Sequence, residues 1–174
     1  MPDESRPKSI NQLFSVVSSP TCAEIHAFVV FCIERVLHLI EPENSKHAFQ
    51  LFKTSDRVSP ELAEQANIDS NSPSLQHSSA AKAVGYAVCH CTDADSFYFS
   101  DNHVENARLV AMYCQWAISR AECPPDLKDE MDSDDDDSGR SWLVQQIEDR
   151  EQTAQLSFVF DRFPHWFGVS TDDA

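Results

Sequence analysis

Residues 25–40, IHAFVVFCIERVLHLI, make the longest stretch of the chain that is apolar on nearly every side. Ile25, Phe28, Cys32, Val36 and Leu39 recur at steps of three and four, one stripe of a 3.6-residue helix. Val29, Phe31, Ile33, Leu37 and Ile40 widen that stripe to most of the circumference. Only Glu34, Arg35 and the histidines His26 and His38 interrupt it. Thr21, with Glu24 three positions later, has the form of a capping box, and Pro42 stops the helix at its other end. A helix of this kind needs neighbours on several sides. The expectation is therefore an all-α fold, a single domain over residues 1–174 built as a bundle of about five to seven helices around a buried central helix. The charged pair Glu34-Arg35 falls about nine residues into the run, whereas a membrane span needs ~20 apolar residues, so the stretch belongs to a core and not to a bilayer.

A chain of 174 residues suits one domain and buries roughly 70% of its extended surface on folding. Three glycines (Gly85, Gly139, Gly168) are too few for a phosphate-cradling loop or for many turns at positive φ, which favours helices joined by polar loops. Against 13 basic residues stand 29 acidic ones, a formal charge of −16 that repels nucleic acid and anionic lipid headgroups; the partner it suits is a protein with a basic surface. The first ten residues, MPDESRPKSI, carry acids and have no apolar segment directly behind them. That is not the layout of a signal peptide, so a cytoplasmic chain is expected. In such a compartment the six cysteines at 22, 32, 89, 91, 114 and 123 are expected to be reduced, buried small hydrophobes. Oligomeric state is left open by the sequence.

Taken in order, Ser9 to Val17 is expected to form a short helix with Leu13, Phe14 and Val17 inward. Glu43 to Lys53 carries Ala48, Leu51 and Phe52 on one side, and the tight Glu41-Pro42 connection implies an antiparallel neighbour for the central helix. Ser59-Pro60-Glu61 starts another helix, running to about Ala66. Asn67 to Ser74 is a loop by composition. From near Leu75, Ala80, Val84, Ala87, Val88 and Cys91 share a face whose small alanines let another helix approach closely. Phe97-Tyr98-Phe99 suits either a short strand or an aromatic plug and is assigned to loop. After an Asp101 cap, Val104, Ala107, Ala111, Cys114 and Ile118 keep the helical period to Glu122. Residues 126–137 hold eight acids against one lysine, so a mobile, disordered acidic loop over residues 125–140 is expected there. Ser141 then caps a last helix in which Leu143, Ile147, Ala154 and Phe158 align; Leu156, Phe158 and Phe160 also alternate as a strand would, and length favours helix. Pro164 ends it, and His165-Trp166-Phe167 is expected to fold back on the bundle.

This order of segments resembles the helical domains of unknown function expanded in planctomycete bacteria, in which a cysteine-containing helix precedes a short acidic turn. The residues that carry the likeness are Cys32, Arg35 and Leu37-His38-Leu39-Ile40, then Glu43-Asn44-Ser45, Ser59-Pro60-Glu61-Leu62, Ala80-Ala81 and the segment from Gln152 to Phe160. The chain departs from that pattern in having Cys32 alone where the family has paired cysteines. It departs again in ending on Arg162-Phe-Pro-His-Trp-Phe167 where the family has a basic, Asn-Pro-containing end. The resemblance implies an all-helical fold and supplies neither an activity nor functional residues.

Cys89-His90-Cys91 gathers three zinc-ligand types, with His103 and Cys114 downstream, but i and i+2 diverge by about 200° on a helix, so no metal is expected there. Asp132-Ser-Asp134-Asp-Asp136 opens like a calcium loop, then places Asp137 where glycine makes the sharp turn and Leu143 where a bidentate glutamate closes the site. No nucleophile elbow, His-Glu-x-x-His or phosphate loop occurs. No catalytic, cofactor-binding or metal-binding residue is therefore assigned. His38 is expected to sit in the core, donating to a carbonyl or to Glu41, and is the residue to watch should a pocket open beside it. Two functions remain: a protein-interaction or scaffold module without catalytic activity, or an acidic inhibitor of the immunity or antitoxin kind whose carboxylates mimic phosphate in a basic cleft. An enzyme ranks third.

Overall fold

A computed structural model of the chain describes residues 7–17, 20–54, 58–88, 103–124 and 142–167. Thr21 starts the central helix through a closed capping box. Its hydroxyl accepts from the Glu24 N–H at 3.3 Å, and the Glu24 carboxylate accepts from the Thr21 N–H at 2.8 Å. The helix that follows, Cys22–Val36, buries Ile25, Phe28, Val29, Cys32, Ile33 and Val36. It is the second of seven α-helices among the described residues and is called α2. The others are α1 (Ile10–Val16), α3 (Glu43–Lys53), α4 (Pro60–Ser70), α5 (Ser78–Val88), α6 (His103–Glu122) and α7 (Trp142–Arg162). No strand occurs among the described residues, and the fold is an all-α bundle. None of these helices is long and apolar enough to cross a membrane.

The middle of the bundle is made by α2, α5 and α6. Helix α6 packs on α5, α2 and α7, α4 on α5 and α3, and α1 on α6 and α7. Its centre is small-residue packing: Ala80, Ala83, Val84, Ala87, Ala107, Ala111 and Ala117 are all buried, so the helices approach closely along α5 and α6. Larger side chains, among them Phe28, Phe49, Leu13 and Trp166, are fully buried in the same core.

Several boundaries and faces differ from the sequence expectation, each for a local reason. The central helix does not continue to Ile40. Leu37–Leu39 tighten into a 3-10 turn in which the Ile40 N–H donates to the Leu37 carbonyl at 3.2 Å, so Leu39 and Ile40 turn inward while His38 is exposed. In α3 the buried residues are Ser45, Ala48, Phe49 and Phe52, with Leu51 only half-buried. Helix α3 packs mainly on α4 and α5 and is not an antiparallel companion laid along α2; the proline and the 3-10 turn redirect the chain. Helix α4 runs to Ser70, one turn past Ala66. Asn67 to Ser70 disfavour helix locally, yet here Ser70 is buried against α5 at the one glycine of that helix. A Cβ on Gly85 would lie 3.4 Å from Ser70 Oγ and 3.8 Å from Asn67 Cα, so tertiary packing overrides propensity.

The C-terminal turn Pro164–Phe167 does fold back on the bundle. Trp166 is buried, stacks on Phe163 with centroids 5.0 Å apart, and donates its indole N–H to Glu24 at 3.2 Å. His165 Nε2 lies 2.8 Å from the other Glu24 oxygen. Burial pushes the Glu24 carboxyl up, but the Thr21 N–H, the Trp166 indole, the Thr21 hydroxyl and His165 together bring it below its usual value.

Candidate functional site

The residues that interrupt the apolar circumference of α2 have separate destinations. Glu34 reaches Lys53 at the end of α3 at 2.5 Å. His26 Nε2 donates to the Phe52 carbonyl at 2.8 Å, satisfying one of the last carbonyls of α3 while its ring lies 4.6 Å from Phe52. His38 faces solvent. Arg35 alone reaches across the bundle, to α7.

There its guanidinium forks onto Glu151. Nε donates to Oε1 at 2.7 Å and to Oε2 at 2.9 Å, and Nη2 donates to Oε2 at 2.7 Å. The carboxylate is 1% exposed, whereas the Arg35 side chain keeps 37% of its surface in contact with solvent and lies over the Phe31 ring at 5.6 Å. The pair is thus buried at its acidic end only. The guanidinium is held firmly protonated by its hydrogen bonds to Glu151 against the opposing effect of burial. Beneath it, Gln155 is fully buried and donates to the Ala111 carbonyl at 3.2 Å while accepting from Gln115 at 2.8 Å. Arg35, Glu151, Gln155 and Gln115 therefore tie α2, α7 and α6 into one polar network. Cys32 and Cys114 stand beside it, and burial pushes both thiols well above the usual cysteine range, which leaves them protonated and unreactive.

The network opens on a cleft of about 210 Å³ lined by Arg35, His38, Ile118, Glu122, Arg150 and Glu151. Arg150 donates to Glu122 at 2.5 Å, so each of the two arginines in the cleft is matched by a glutamate. Chemically this is a small, internally neutralised depression, below the volume of about 300 Å³ at which pockets for small molecules begin. His38 lines it, but from the solvent side; the expectation of a core histidine fails because the 3-10 turn rotates it away from the stripe that buries Leu39.

Neither Glu151 nor Gln155 was singled out by sequence reasoning. The buried face of α7 is Val144, Ile147, Glu151, Gln155, Leu156 and Val159, not the line through Leu143, Ala154 and Phe158, which are half-buried. The available signal was the spacing itself: Glu151 and Gln155 continue a step-of-four register from Ile147 to Val159, and Arg35 supplies the opposite charge on another core helix. Among the described residues no three His, Cys, Asp or Glu side chains are placed to hold a metal ion. Cys89, His90 and Cys91, the Phe97 to Phe99 run, the Asp101 cap and the acidic segment 125–140 lie outside the described residues.

No protein-family model matches the chain, and no curated protein or solved structure matches it.

Proposed function

We propose that the chain is a protein-interaction or scaffold module without catalytic activity, whose buried polar network is structural and whose contacts are made at the surface. Trp142 carries this reading. It is 74% exposed, whereas Trp166 is 1% exposed, and it opens α7 directly after the acidic run in the sequence. Tryptophan contributes the largest apolar area of any side chain and is the residue type most enriched among interface anchors. Next to a run of eight acids, it suits a partner protein offering an apolar cup rimmed by lysine and arginine. Kinship with the planctomycete-type helical domain belongs to the same proposal and adds no activity to it.

The acidic run itself favours a second reading, the immunity-type or antitoxin-type inhibitor, in which its carboxylates stand in for phosphates. Kinetics against a partner recovered by affinity capture separate the two. For an interaction module, Trp142→Ala raises the dissociation rate at least about tenfold, at low and high salt alike. For an inhibitor, replacing the acids of residues 126–137 by amides slows association, and the effect fades as salt rises. Unchanged binding by Trp142→Ala would rule out the favoured reading.

A further inference from the structure

A second cavity, sharing no lining residue with the Arg35–Glu151 cleft, lies between α4, α5 and α6. It encloses about 320 Å³ and is lined by Asn67, Ser70, Asn71, Lys82, Gly85, Tyr86 and Tyr113. We propose that it binds a small organic anion, with the oxyanion of the ligand on the Lys82 ammonium and its other polar groups on the amides of Asn67 and Asn71 and the tyrosine hydroxyls.

Lys82 is the first reason. Acids outnumber bases 29 to 13 in this chain, and Arg35, Lys46, Lys53, Arg108 and Arg150 each meet a glutamate. Lys82 is half-buried and has no hydrogen bond or ion pair among the described residues. An unpaired ammonium lining a cavity favours an anion there, because it makes a charge-assisted hydrogen bond to an oxyanion. The tyrosines are the second reason. Tyr86 and Tyr113 stack at 5.2 Å and 18°, and Trp116 braces Tyr113 edge-on at 5.3 Å, which gives the cavity a rigid polar-edged wall. Burial, with the hydrogen bond to Tyr86, pushes the Tyr113 hydroxyl above its usual value, so it remains protonated near neutrality.

The backbone supplies the third. Gly85 lines the cavity and, having no side chain, lets Asn67 and Ser70 of α4 come close to α5: an added Cβ would stand 3.4 Å from Ser70 Oγ and 3.6 Å from Asn67 Oδ1. Asn71 Nδ2 and Ser70 Oγ are both tied to the Asn67 carbonyl, at 2.9 and 2.7 Å, which fixes the rim. The volume falls at the lower end of the range for small-molecule pockets, about 300–1,000 Å³.

The test titrates the full chain with inorganic phosphate, glucose 6-phosphate, citrate and benzoate, read by calorimetry and by tryptophan emission. The expected result is saturable binding of at least one of them with a Kd of about 1 mM or tighter. Preference for glucose 6-phosphate over citrate and benzoate identifies a phosphate ester as the ligand chemistry, and the reverse order a carboxylate. Lys82→Met weakens binding at least about tenfold, Lys82→Arg retains most of it, and Lys46→Met, on α3, leaves it unchanged. If none of the four saturates below about 10 mM, or if Lys82→Met binds as the unaltered chain does, the proposal is overturned.

Discussion

Replacing Arg35 by methionine tests the asymmetry of the buried pair. The substitution keeps much of the stem that covers Phe31 but removes the two donor nitrogens, Nε and Nη2, whose contacts to the Glu151 carboxylate are 2.7, 2.9 and 2.7 Å long. What remains to that carboxylate is Gln155 Nε2 at 3.4 Å, a long contact, in a side chain only 1% exposed. Breaking a buried pair from one side costs about 3–5 kcal/mol, and because the guanidinium end opens on the cleft, where water can enter, the lower end of that range applies. For a chain of this size a loss of about 3 kcal/mol lowers Tm by roughly 6–12 °C. Glu151→Gln, in contrast, leaves the charge on the partner that already reaches solvent, so its cost is expected near 1 kcal/mol. Changing both partners, Arg35→Met with Glu151→Leu, is expected to return stability to within about 1 kcal/mol of the unaltered chain. Urea unfolding followed by circular dichroism gives all three values. If Arg35→Met is no worse than Glu151→Gln, or if the double change is the least stable of the three, the reasoning is wrong.

Three further outcomes are expected. Phe28→Ala, at a position with no exposed surface, should cost about 3–4 kcal/mol and raise amide exchange throughout α2; exchange there as fast as in α1 would contradict its place at the centre. The folded-state value of Glu24 lies below the ordinary 4.5, so its contribution to stability is present above about pH 4.5 and is lost as pH falls through the lower folded value. Glu24→Gln should therefore be less stable than the unaltered chain at pH 7, with the two denaturation curves converging in acid; a constant gap down to pH 2 would contradict it. The Ser119 hydroxyl is buried with no hydrogen-bond partner among the described residues, and Ser119→Ala should be neutral or stabilising by about 1 kcal/mol in the same unfolding assay.

Where the sequence carries one strong signal, the fold follows it. Thr21 and Glu24 form the capping box that their spacing announces, and Ser59 and Pro60 begin α4. Apolar periodicity locates α2 and α6 because packing there is almost wholly apolar. It misplaces the inner face of α7 because two of its six buried residues, Glu151 and Gln155, are polar and find their partners on α2 and α6. A partner 116 residues away in the chain leaves no local trace. Asn67 to Ser70 fail in the opposite sense: their composition signals a loop, while contact with Gly85 holds them in helix. The candidate cleft was legible only through His38, and through it only by position, since the turn that sets its side chain outward depends on how Leu39 and Ile40 pack.

The Glu24 carboxylate joins points 142 residues apart, closing the cap of α2 and receiving the Trp166 indole. Its consequence is temporal. A chain leaving the ribosome N-terminus first has α2 available early, but α2 cannot be sealed until the turn Pro164–Phe167 has emerged and Trp166 has come to rest between Phe14 and Phe163. The central helix is thus made well before the turn that covers its cap, and its N-terminal end stays uncovered until that turn has docked. The same closure couples the two segments: releasing Trp166 takes one of two donors from Glu24 Oε2, which keeps the Thr21 N–H, and uncovers Phe14 together.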